Sequence, residues 1–116
     1  MGDDIDARAI AERIRILIGD QMVGRTELAL HLGVTEFALR RTIDTTSPRP
    51  TLDVLAAVVR EYGVDPTWLV FGEYDAATHR VSLEAGLSFT GRDLATLALS
   101  KLRRDELRPK LLRTFL

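Results

Sequence analysis

Through the first two thirds of the chain, short apolar stripes at helical spacing are each cut off by a glycine, with a helix-capping residue close behind. Ile10, Ile14, Leu17 and Ile18 recur at three- and four-residue steps after Asp6, between Arg8, Glu12, Arg13 and Arg15, and the run stops at Gly19. Leu28, Ala29 and Leu32 follow a cap at Gly24, with Glu27 in the first turn, and end at Gly33. Leu52, Leu55, Ala56, Val59 and Tyr62 follow Thr51 and end at Gly63. Asp65-Pro66 then opens a last brief run through Trp68, Leu69 and Phe71 to Gly72. A chain punctuated this often builds neither a long coiled coil nor alternating strands. It predicts an all-α fold of short helices around one core.

The closest junction lies at Gly33, because Thr35 offers a new N-cap only two residues later. The helix expected from about Thr35 to Asp44 has Leu39 and Ile43 four apart on its inner face. Thr35, Glu36, Phe37, Arg40 and Arg41 are left to the opposite face. Two prolines and several hydroxyl residues make 45–50 a loop.

Beyond Gly72 the pattern weakens. Val81, Leu83, Leu87 and Phe89 alternate as a small hairpin would, yet Asp75 to Glu84 reads equally as a capped helix. Thr90 and Asp93 make a capping box before Leu94, Leu97, Ala98 and Leu102, which predicts a helix to about Arg104. Pro109 is expected to interrupt anything continuing into Leu111, Leu112 and Phe115. The chain therefore divides into residues 1–73, five helices, and a helical appendage over 74–116.

At 116 residues and 46% apolar, the chain suffices for one core. It has no cysteine, which excludes disulfides, thiolate nucleophiles and Cys-ligated zinc and fits a cytoplasmic setting. Asp3, Asp4 and Asp6 do not resemble a signal peptide, and the longest apolar run, Val54 to Val59, is far below the roughly 20 residues of a membrane span. Trp68, Leu69 and Phe71 are expected in the core. His31 and His79 lie apart from other ligand candidates, so no metal site is expected. No nucleophile-base pair or phosphate-cradling glycine loop points to an enzyme or to a cofactor.

The run GRTELALHLGVTEFALRRTID, the proline-rich loop, and TLDVLAAVVREYGVDPTWLVFGE together resemble the lambda-repressor-like and Cro-like (XRE-type) helix-turn-helix DNA-binding family over Arg8 to Glu73. Glu27-Leu28-Ala29 with Gly33-Val34-Thr35 is similar to that family's second helix and turn. The stretch from Gly63-Val64 through Trp68-Leu69 to Gly72-Glu73 is similar to its fifth helix. The resemblance implies a five-helix DNA-binding domain whose helix 35–44 enters the major groove of double-stranded DNA, and a transcriptional regulator, most simply a repressor. By position in the family pattern Arg25 and Thr26, and Thr46 and Arg49 in the loop, resemble phosphate contacts, which fix register without reading sequence.

On the outer face of that third helix, Arg40 or Arg41 suits guanine, Phe37 a thymine methyl and Glu36 a cytosine amino group. The alternative for both arginines is a solvated face, and for Phe37 an exposed edge of the core or a contact to the C-terminal appendage. A single small unit reads little DNA, so a homodimer is expected. Its pairing segment is sought in Leu94, Leu97, Leu102, Leu111, Leu112 and Phe115, unless 90–116 packs back on the helical domain or touches the DNA backbone. Charge opposes DNA overall: the net value is -1, with eight Arg against twelve acids through Tyr74 and eight Arg or Lys against five acids beyond. The rival reading is a protein-interaction module, an antitoxin or adaptor, that kept such a fold without binding DNA. No small-molecule ligand is evident.

Overall fold

A computed structural model describes residues 5–19 and 24–115, with side chains described as far as Arg104. Among the described residues all regular structure is helical: α1 (Ala7–Ile18), α2 (Arg25–Leu32), α3 (Glu36–Thr42), α4 (Leu52–Tyr62), α5 (Pro66–Phe71), α6 (Ala76–Ala85), a 3-10 turn (Gly86–Ser88) and α7 (Gly91–Phe115). None of these helices is long and apolar enough to cross a membrane.

The caps expected from sequence are made. Asp6 accepts from the amides of Arg8 and Ala9, Thr35 from that of Ala38, and Thr51 from that of Val54. Each occupies a donor that the first helical turn would otherwise leave open. Thr90 and Asp93 close the expected capping box, the Asp93 carboxylate accepting from the Thr90 amide while the Thr90 hydroxyl accepts from the Asp93 amide.

α4 is the central element, which explains its unbroken apolar run. Val54 through Val59 are all buried, because α2, α3, α5, α6 and α7 surround this helix. Ile10 and Ile14 of α1, Leu28 and Leu32 of α2, Leu39 of α3 and Leu69, Val70 and Phe71 of α5 close around it. Trp68 is only partly buried, lying against the edge of the same cluster.

The segment left open by the sequence, 75–84, is helical. Its buried side carries the hydroxyls of Thr78 and Ser82, while Val81 and Leu83 face solvent. An inward face made of hydroxyls gives no apolar periodicity to read. What holds α6 is a polar joint under α5. The Asp65 carboxylate, 2% exposed, accepts from the amides of Thr67, Trp68 and Asp75 and from the Thr78 hydroxyl at 2.6 Å. One buried anion thus caps α5 and fixes the start of α6.

α7 packs mainly on α4 and α5. Phe89 and Leu94 are enclosed in the core, and Leu97 and Leu102 lie against it, so the described side chains from Phe89 to Leu102 add to the same core as 1–73. The buried Lys101 reaches the Glu73 carboxylate at 3.0 Å and lies over the Phe71 ring, tying α7 to the end of α5. The helix was expected to end near Arg104, yet it continues through Pro109 to Phe115. A proline inside a helix forfeits one backbone bond and crowds one carbonyl, costs that bend a helix as readily as they end it.

Candidate nucleic-acid interface

α2 and α3 meet across a turn that only glycine makes without strain. Gly33 has a left-handed backbone, φ +74°, and its amide and that of Val34 bond back to the Leu30 and Ala29 carbonyls. Thr35 then starts α3 at once. Two short helices are therefore joined by a tight turn and packed on each other, with Leu28, Leu32, Leu39 and Ile43 in the core behind them.

On the outside of α3 the side chains sort into two pairs. Glu36 and Arg40 form an ion pair at 2.7 Å, and the second carboxylate oxygen of Glu36 accepts from the Thr26 hydroxyl at 2.9 Å. Glu36 thereby bridges the first turns of α2 and α3, a role that the sequence expectation of a cytosine contact missed. Phe37 is 68% exposed, which excludes it from the core, and the Arg41 guanidinium stands 5.3 Å from its ring centre.

The loop after α3 is ordered by its own side chains. Asp44 accepts from the amides of Thr46 and Ser47, and these bonds, ahead of the nearby Arg25 charge, hold its carboxyl below the usual aspartate range. The Arg49 amide donates to the Arg41 carbonyl at 2.7 Å, folding the loop back on α3. Thr46 and Arg49 are exposed beside it. The Arg15 guanidinium donates to the Ile43 carbonyl at 3.0 Å, anchoring the end of α3 to α1. Asp44 ahead of Thr-Thr-Ser carries a readable turn signal, whereas the Arg15 tether depends on tertiary placement and has none.

Of the expected phosphate contacts, Arg25 lies with Arg40, Ile43, Asp44 and Thr45 around one depression between the start of α2 and the end of α3. The face thus carries Arg25, Arg40, Arg41 and Arg49 together with Glu27, Glu36 and Asp44. It is basic only where Glu36 and Asp44 are occupied by their own partners.

Among the six residues named for pairing, Leu94 is 1% exposed and consumed by the chain's own core, and Leu97 and Leu102 lie half-buried on it. The capping box directs this stripe inward onto α4, so Leu94 is not available to a second copy. The side chains of Leu111, Leu112 and Phe115 lie outside the described residues.

His31 faces Glu61, while His79 bridges the Tyr74 hydroxyl and the Gly63 carbonyl. Among the described residues no group of three or more His, Asp or Glu is arranged to hold a metal ion. Comparison with protein-family models, with curated proteins and with solved structures finds no match in any of the three.

Proposed function

We propose that this chain is a sequence-specific DNA-binding transcriptional regulator of the lambda-repressor-like helix-turn-helix type. It acts in the cytoplasm as a homodimer and represses by occupying its operator. α1 to α5 form the DNA-binding part and 74–116 the appendage that pairs two copies. One observation carries this reading: the tight Gly33 corner projects α3 with Phe37, Arg40 and Arg41 outward, while Arg25 and Arg49 flank it. A helix presented this way matches the width of the major groove, and flanking arginines match its phosphates.

The acidic balance of the first 74 residues weighs less at this face, where Asp44 is held by the amides of its own loop and Glu36 by Thr26 and Arg40, which leaves Glu27 as the exposed acid beside Arg25, Arg41 and Arg49. The test is a salt series on duplex DNA. Arg25 and Arg49 from two copies supply at least about four phosphate contacts, so log affinity should fall against log salt with a slope of about -3.5 or steeper. Arg40→Ala with Arg41→Ala should abolish sequence preference. A purified chain that ignores every duplex in dilute buffer overturns the proposal and leaves the interaction-module reading in its place.

A further inference from the structure

The two arginines at the end of α3 are differently employed, and helix geometry explains why. Successive residues turn by about 100° around a helix. Taking Leu39 and Ile43 as the inward direction, Phe37 and Arg41 fall near the opposite pole, whereas Glu36 and Arg40 fall on the flank. The contacts agree: Glu36 reaches sideways to Thr26 of α2, and Arg40 follows Glu36 and borders the depression shared with Arg25. Phe37 is 68% exposed at that pole, and the half-buried Arg41 holds its guanidinium against the Phe37 ring, whereas the more exposed Arg40 is turned to Glu36.

Resting on the DNA-binding reading above, we propose that Phe37 and Arg41 act as one reading unit, for a guanine with a 5-methyl pyrimidine in the adjoining base step. Arg40 belongs instead with Arg25, on the phosphate side. A guanidinium meets the two acceptors of guanine in its own plane, and an exposed aromatic ring beside it gains only from an apolar group, which in the major groove is the thymine methyl. The guanidinium stands 5.3 Å from the ring centre, so the two groups move as one contact and can address adjoining positions. Stacking on Phe37 also reduces the freedom Arg41 must lose on binding, as Arg40 is restrained by Glu36.

The decisive experiment selects bound sequences from a random duplex pool with the full chain, with Arg41→Ala and with Arg40→Ala, helical content being checked by circular dichroism. The wild type should enrich a guanine next to thymine. Arg41→Ala should lose preference for that guanine by about tenfold or more, and Arg40→Ala should weaken binding while keeping the preference. In the selected duplex, uracil in place of that thymine should weaken the wild type about fourfold, the worth of one buried methyl, and leave Phe37→Ala unchanged. Enrichment of a site whose guanine depends on Arg40, or indifference of the wild type to uracil, overturns this assignment and leaves DNA binding intact. No enrichment of any sequence overturns both.

Discussion

At the scale of single residues, the most consequential side chain is an acid inside the protein rather than an arginine on its surface. Asp65 satisfies four donors at the junction of two helices, and it is buried together with Thr67 and Thr78. Asp65→Ala strands those donors, each worth about 1 kcal/mol or more when buried, and should cost about 3 kcal/mol, seen as a fall in Tm of about 10 to 20 °C. Asp6 makes the same kind of cap at the surface. Asp6→Ala should cost about 1 kcal/mol or less because water replaces the lost acceptor. Similar losses from the two variants would mean that Asp65 is an ordinary cap and not the joint between α5 and α6. The exposed Glu36–Arg40 pair belongs at the other extreme: pairs of this spacing contribute about 0.3 to 0.5 kcal/mol, so it orients Arg40 without locking it.

The elements were legible wherever burial was apolar and ends were capped. α1 to α5 carry both signals, and their bounds follow Asp6, Gly33, Thr35, Thr51, Gly63, Asp65 and Gly72 closely. α6 was ambiguous because Thr78 and Ser82, polar residues in any sequence pattern, form its buried side. The division of α3 into a flank and a pole was only half legible: helical spacing separates Glu36 and Arg40 from Phe37 and Arg41, but the Thr26 bond depends on how α2 crosses α3. The close seating of α7 on α4 likewise has no sequence signature beyond a glycine. A Cβ at Gly91 would stand 3.0 Å from the Leu52 Cβ and 3.3 Å from both the Leu52 carbonyl carbon and an Asp53 carboxylate oxygen. Gly91→Ala gains up to about 1 kcal/mol of helix propensity but must displace the first turn of α4, which costs about 1 to 3 kcal/mol. A net loss of about 1 kcal/mol in denaturant unfolding is expected, whereas Gly24→Ala, with open space around it, should change stability by less than about 0.5 kcal/mol. Equal behaviour of the two variants would show that α7 is free to shift on α4.

At the scale of the whole molecule, the proposed regulator must overcome two handicaps: an excess of acids over the first 74 residues and a reading helix of seven residues. Both point to two copies acting together, since a second half-site doubles the phosphate contacts and multiplies the sequence discrimination. The fold narrows where two copies join in one respect: the first half of α7 turns Leu94 into the core, which leaves Leu111, Leu112 and Phe115 as the residues to test among those expected to pair. Leu111→Ser with Phe115→Ser should therefore halve the mass in sedimentation and lower affinity for a two-half-site duplex by about a hundredfold or more, to that of one half-site. Half-sites recovered by selection should lie about one turn of DNA apart, near 34 Å, or a multiple of it. A wild-type chain that sediments as a monomer while bound to a single half-site would remove the pairing role of α7 and require Phe37, Arg41 and their flanking arginines to supply all the discrimination alone.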